Sequence, residues 1–286
     1  MTRLLRAHGL MTGSVMLLLL AFVAMASPWL APYGYDDQNL AARLRPPAWV
    51  TGGMWTHPLG TDQLGRDMLT RIMYGARASL AVGLSGILTG ALLGVLVGLL
   101  TGYWGGWLDS LMMRLGDVQL AFPYLLLAIA IMTVVGPSLP ALIAVLGLRT
   151  WVQYARTVRS VVLPAREFDF VQAAQALGAS HRRILAQHIF PTTVSPVIVL
   201  ATVELANLIL LEATLGFLGL GVQPPIPSWG SMLSAGRNYL QTAWWLTVFP
   251  GAAIMLAVVA ANALGDGLRD ALDPHAQAAL ARVSAR

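Results

Sequence analysis

An all-α, polytopic membrane protein with six transmembrane helices is the fold class this sequence predicts, and three observations predict it. Of the 286 residues, 57% are hydrophobic and only 11% charged, where a soluble domain carries about a quarter charged residues. Six stretches approach the roughly 20 apolar residues that a helix needs to cross the hydrocarbon. They run over residues 10–30, 79–103, 115–135, 139–155, 194–217 and 245–264. The arginines, finally, are scattered through the segments between these stretches rather than gathered on one face. The net charge of +5 is thereby assigned to membrane topology, and nucleic acid is not a partner.

The first stretch follows Arg3 and Arg6 and ends near Ala24-Met25-Ala26. That layout also reads as a cleaved secretory signal, but removing it leaves five helices with both long polar segments misplaced, so a retained helix is expected. Residues 31–78 are rich in proline, glycine and tryptophan and too polar to span; they form a long external segment. The second span repeats glycine at Gly86, Gly90, Gly94, Gly98 and Gly102, a small-residue stripe that lets another backbone approach closely. The fourth contains Arg149. Residues 222–243 form a second external excursion with a short surface helix, and the sixth span leads into a polar tail at 266–286.

Between the fourth and fifth spans lies FDFVQAAQALGASHRRILAQHIFPTT, residues 168–193. Two short amphipathic helices are read from it. Phe170, Ala173, Ala174 and Leu177 share one face of the first, with Asp169, Gln172 and Gln175 opposite. Gly178 interrupts it. The second starts from Ser180 as cap and carries Ile184, Leu185, His188 and Ile189 along one side until Pro191 stops it. With no partner, such a pair lies on a leaflet, with Arg182 and Arg183 at lipid headgroups.

Orientation follows from the arginines flanking the spans. A cytoplasmic N-terminus puts Arg3, Arg6, Arg114, Arg156, Arg159, Arg166, Arg182, Arg183, Arg269, Arg282 and Arg286 inside. Only Arg43, Arg45, Arg66, Arg71, Arg77 and Arg237 then fall outside. Both termini and the 166–190 loop are expected in the cytoplasm.

Composition also excludes chemistry. Cysteine is absent and all 18 basic residues are arginine; a P-loop and a pyridoxal Schiff base both need lysine, so this chain does not hydrolyse ATP by the P-loop route. Gly83-Leu84-Ser85-Gly86 matches an intramembrane serine-protease motif, yet His8, His57, His181, His188 and His275 all lie outside the spans, where none can activate the serine. Gly265-Asp266 has no second aspartate in a facing span. The segment from His57 to Asp67 reads as hydrogen-bonded loop rather than metal site, and no metal or cofactor is assigned to the chain.

Ionisable groups at membrane depth cost about 2.5–3.5 kcal/mol on insertion scales and face a cavity or one another. Arg149 and Glu204 each lie about ten residues into their spans, about 15 Å deep at 1.5 Å per residue. Either they pair across a translocation pathway, or they meet the two ends of a zwitterionic substrate, or they form a structural pair away from any path. Asn207, one turn beyond Glu204, extends the polar strip; Glu212 lies nearer the outer end. On composition alone, a secondary transporter with a charged midplane site is the alternative function.

The pattern Gln172-Ala173-Ala174, then Gly178, then His188-Ile189-Phe190-Pro191, resembles the cytoplasmic coupling loop of ABC importer permeases. His57 to Asp67, Tyr74-Gly75-Ala76-Arg77, Gly102 to Asp109, Asp117 to Pro123, Phe217 to Pro225 and Gly265 to Pro274 resemble segments of the dipeptide, oligopeptide and nickel permeases, in the same order. The resemblance covers roughly residues 57–274 and points to the second, C-type, permease chain. It implies a type I importer fold divided as residues 1–75 (first helix and external segment), 76–265 (permease domain, with the coupling loop at 166–190) and 266–286 (cytoplasmic tail). The partners it implies are a second homologous permease, two ATPase subunits that bind ATP and magnesium, and an extracytoplasmic binding protein, in a bacterial inner membrane.

By the same resemblance Gln172, Ala173, Ala174, Leu177, Gly178, Ile184, His188 and Pro191 contact the ATPase. Gln172 stands where the family usually has glutamate, so a hydrogen bond replaces a salt bridge, and Phe190 replaces a more common leucine. Glu212 is similar to a family glutamate with a structural hydrogen bond. Arg149 and Glu204 stand where the family usually has small or apolar residues, so their role is read from chemistry alone.

Overall fold

The computed structural model describes residues 2–272, with side chains from residue 9 onward. The tail from residue 273, with His275, Arg282 and Arg286, lies outside the described residues. Ten α-helices follow in chain order: α1 Thr2–Leu30, α2 Met68–Trp104, α3 Gly106–Ala121, α4 Tyr124–Val135, α5 Leu139–Ala165, α6 Asp169–Ala176, α7 His181–Ile184, α8 Phe190–Phe217, α9 Trp229–Gly236 and α10 Trp245–Leu272. Residues 31–67 and 218–244 lie at one end of the bundle, here the segment end; α6 and α7 lie at the other, the hairpin end.

Membrane-span length and apolarity are met by Gly9–Leu30, Met68–Trp104, the continuous run His181–Phe217 and Trp245–Leu272. The pair α3 and α4 passes only if taken together, and it is bent by 90°. Four spans, or five with the bent pair, therefore stand on length and composition where the sequence predicts six. The difference is α5, 27 residues long but carrying Arg149, Arg156 and Arg159. The predicted third span is broken because Pro123 follows Phe122, which is held extended at φ −90° and ψ 137°, as a residue before proline prefers.

The densest packing joins α2 to α5, running in the same direction, through the glycine stripe. A Cβ on Gly90 would sit 1.8 Å from Thr150 Oγ1, one on Gly94 2.4 Å from the Trp151 carbonyl oxygen, and one on Gly98 2.6 Å from that of Ala155. Lipid tails are as apolar as leucine, so helices gain little from burial alone and associate through close van der Waals contact. The stripe therefore welds α2 and α5 into one unit. Opposite it, Leu84, Leu88, Leu92 and Leu96 are exposed. α8 packs against α2 and α10, and α10 lies antiparallel to α1, where a Cβ on Gly13 would meet the Leu264 nitrogen at 2.4 Å.

The 31–67 segment is held by its own polar groups. Asp67 caps α2 by accepting from Thr70 N at 2.8 Å and also meets His57 Nδ1 at 3.0 Å. Asp62 accepts from Leu64 N, Arg66 N and Arg66 Nε at 2.8–3.0 Å. Gly65, at φ +73°, lets the loop close on Asn39, whose carbonyl oxygen would lie 1.8 Å from a Cβ there. Helix α9 departs from the predicted surface helix: Trp229, Gly230, Met232 and Gly236 are buried, and the indole of Trp229 donates to Ile72 O at 3.1 Å. A glycine at position 75 makes room for that indole.

Candidate functional site

Two constellations stand out. The first is the hairpin of α6 and α7. Helix α6 ends in a Schellman turn: Gly178, at φ +79°, donates to Gln175 O at 2.9 Å, and Ala179 N donates to Ala174 O at 3.0 Å. Such a turn needs a left-handed residue, which glycine supplies without a Cβ penalty. Ser180 occupies the cap position of α7 but makes no side-chain capping bond.

Pro191 does not stop the second helix as the sequence predicts. The chain passes from α7 through a π-helical turn, Leu185–Ile189, directly into α8, with Pro191 in that helix's first turn. Pro191 lacks the N–H that would bond back into that turn, and because the π-turn already interrupts the regular i→i−4 ladder there, the proline does not end the helix. The hairpin is thus helically continuous with a spanning helix.

The predicted apolar face of α6 is divided. Val171 is fully buried and Ala174 packs inward, whereas Phe170, Ala173 and Leu177 face out, Leu177 at 89% exposure. Ala174 lies at the seam between the two sides, and the valines of α5 decide which edge turns in. Val171, Ile184 and Ile189 form a sealed cluster with Val158 and Val162, flanked by Val95, Leu99 and Tyr103 of α2. Polar ties reinforce it. Arg166 Nη1 donates to Gly102 O at 3.1 Å and Tyr103 O at 3.4 Å, a cation on the orphan carbonyls of a helix C-terminus. The Tyr103 hydroxyl meets His181 Nδ1 at 2.8 Å. Gln172 turns back to donate to Glu167 O at 3.1 Å, and His188, half-buried, lies 6.0 Å from the Phe170 ring.

The second constellation is the charged site. Arg149 Nη1 donates to Glu204 Oε2, and Asn207 Nδ2 donates to Glu204 Oε1 at 3.3 Å. The guanidinium also lies 5.9 Å from the Tyr124 ring centroid, whose hydroxyl donates to Val145 O. The pair joins α5 to α8, and Tyr124 brings in α4. Glu204 is 2% exposed and the Arg149 side chain 23%, so the carboxylate is the sealed partner. Glu212 belongs elsewhere: it accepts from Ser79 Oγ at 2.9 Å, and that hydroxyl accepts from Trp229 N at 3.3 Å. The four predicted pathway residues therefore form one triad and one separate inter-helix bond.

Sequence reasoning missed Tyr124, Ser79 and the pair Gln119–Trp151, in which the indole donates to Gln119 Oε1 at 2.7 Å and Gln119 Nε2 donates to Leu148 O at 2.6 Å. Only the position of Gln119 just before the Phe122-Pro123 break hints at it. Among the described residues, no group of three His, Asp or Glu side chains converges on a metal-sized site.

A family model described as "Binding-protein-dependent transport system inner membrane component" matches residues 94–277. A second, "N-terminal TM domain of oligopeptide transport permease C", matches residues 1–47. The chain is 43% identical over 266 residues to the Di/tripeptide transport system permease protein DppC of Pseudomonas aeruginosa, covering 93% of this chain and 88% of that protein. It is 47% identical over 269 residues to the Dipeptide transport system permease protein DppC of Escherichia coli K12, covering 94% and 90%. To the protein of the same name from Alkalihalophilus pseudofirmus it is 43% identical over 262 residues, covering 92% and 84%.

Proposed function

Because the chain belongs to the family of inner membrane components of binding-protein-dependent transport systems, we propose that it is a permease subunit of an ATP-driven importer, forming half of the translocation pathway for di- or oligopeptides or a related small solute. The observation that carries this is the hairpin. Its inner side is sealed against α2 and α5, while Phe170, Ala173 and Leu177 form an apolar face left exposed among the described residues. That arrangement suits a lever gripped by another subunit.

The other partners are a second homologous permease, an extracytoplasmic binding protein and two ATPase subunits, the latter holding the ATP and magnesium. This chain performs no covalent chemistry. The hairpin and both termini face the cytoplasm, and the segment end faces outward, in a bacterial inner membrane. Residues 1–75 form the first helix with its external segment, 76–265 the permease domain and 266–286 a cytoplasmic tail; α5 completes a sixth span, its charges paired within the bundle.

Closure of the ATPase dimer pushes on residues 166–190, and the π-turn passes the motion into α8 while Arg166 and Tyr103 pass it into the α2–α5 unit. The spans then rock between outward- and inward-open states. Arg149, Glu204 and Asn207 lie on the pathway-facing side of α5 and α8 at mid-depth in this reading.

The test is transport by the reconstituted complex. Uptake of a radiolabelled dipeptide must require ATP and a P-loop-bearing chain, and a bulky residue at Gly178 must abolish uptake or assembly while membrane insertion survives. Uptake driven by an ion gradient without ATP would instead establish a secondary transporter built on the Arg149–Glu204 site.

A further inference from the structure

A cavity of about 390 Å³ opens at the segment end between α2 and α5, away from both constellations. Tyr35, Tyr74, Arg77, Leu139, Ile143 and Ile226 are among its walls. Its volume and largely apolar lining with few polar groups match sites that take small ligands. Loops contribute Tyr35 and Ile226, so the walls differ from a bare helix flank along which an acyl chain lies.

The rim is fixed from behind. Buried Arg71, facing Asp62 Oδ2 at 3.5 Å, donates to Tyr35 O at 3.2 Å, and the Tyr35 ring packs on Tyr74 with centroids 4.9 Å apart. Asp36 and Asp62 are engaged by Arg66 and Arg71, Asp67 by His57 and the α2 cap, and Asp37 by Gly34 N. Arg77 is exposed, and among the described residues no carboxylate pairs with it. A cation without counter-ion therefore stands at the mouth of an apolar cavity.

We propose that this cavity is a peptide subsite: the α-carboxylate of an incoming short peptide binds the Arg77 guanidinium, and its C-terminal apolar side chain enters between α2 and α5. The assignment rests on the peptide-importer reading above and adds to it a place where this chain reads its cargo. A bidentate guanidinium–carboxylate contact favours a free carboxylate over its neutral amide, by about tenfold to a hundredfold for a hydrogen bond to a charged group.

The test uses the full chain, co-purified with its partners, in nanodiscs of phosphatidylcholine with or without phosphatidylglycerol. The probe is alanyl-p-benzoylphenylalanine, photolysed and mapped by mass spectrometry. Cross-links are expected on the walls near Leu139 and Ile143. They should fall at least tenfold for the C-terminal amide and for Arg77→Gln, survive in Arg77→Lys, and disappear in Ala81→Trp, which fills the cavity without touching the charge. Labelling elsewhere, or labelling indifferent to the amide and to Arg77→Gln, overturns the proposal. So does loss of bound phosphatidylglycerol in Arg77→Gln with peptide labelling unchanged, which makes Arg77 a lipid-headgroup anchor. ATP-driven uptake of alanylphenylalanine by the wild type without cavity labelling sinks the subsite alone; absence of peptide uptake by a complex that still hydrolyses ATP sinks the peptide cargo on which the subsite rests.

Discussion

Replacing Arg149 by methionine leaves the Glu204 carboxylate 2% exposed, with Asn207 at 3.3 Å as its remaining donor. Removing one partner of a buried ion pair costs about 3–5 kcal/mol, because the charge left behind has lost water and partner together. The reverse change is milder. Glu204→Gln keeps an acceptor for the guanidinium, and Arg149, more exposed and beside the Tyr124 ring, retains a favourable neighbour; about 0.5–1.5 kcal/mol is expected, the difference between a hydrogen bond to a charged acceptor and one to a neutral acceptor. The double variant Arg149→Met/Glu204→Gln removes both charges and should recover much of the loss, since no buried carboxylate is then left without its counter-ion. The coupling energy should exceed about 1 kcal/mol. Unfolding of the purified, lipid-reconstituted protein in increasing dodecyl sulfate, followed by tryptophan fluorescence, reads all four corners of the cycle. If Glu204→Gln proves more damaging than Arg149→Met, or the two changes simply add, the carboxylate is not the sealed partner and the reasoning fails.

Other perturbations separate the remaining contacts. Gly90→Ala should destabilise by about 1–3 kcal/mol through overpacking, with partial rescue by Thr150→Ala, which removes the 1.8 Å clash but leaves Gly147 O at 2.9 Å from the new Cβ; the same unfolding assay checks both. Leu177→Asp lies on the surface, so stability should hold within about 0.5 kcal/mol while co-purification of the ATPase drops; full retention would remove the docking face. At Gly178 a Cβ meets nothing within 4 Å, so Gly178→Ala should cost only the left-handed backbone, about 1–2 kcal/mol. Asp67→Ala removes the α2 cap and the His57 contact, a loss of about 1–2 kcal/mol, visible as earlier proteolysis of the 31–67 segment.

Much of the site was legible from residue chemistry. The glycines at four-residue spacing announced a close helix contact, and Gly178 between two short periodic runs announced a bend. Arg149 and Glu204 were conspicuous because charge at depth demands a partner. Less was legible where two principles competed. Pro191 reads as a stop, yet it follows a π-turn that already breaks the regular ladder, so the helix runs on through it. The 115–135 run reads as one span because its length and overall apolarity suffice, but the restriction Pro123 places on Phe122 outweighs them. Ser79 carried no signal, since a serine on a glycine-rich helix looks like one more small residue until Glu212 is set opposite it.

By itself the sequence determined that the chain is a helical membrane protein without P-loop chemistry of its own, and where its polar hairpin lies. Both follow from local quantities: transfer free energy summed over a span, and the residue types a reaction requires. Tertiary structure alone decided that α2 and α5 are welded in parallel, that Val171 turns inward while Leu177 turns out, and that Arg149 meets Glu204 whereas Glu212 meets Ser79. These are matters of which surfaces meet across long separations in the chain. A helical period names the faces of each helix, but the choice among them is made by the shape of the neighbour and by the cost of any charge left unpaired.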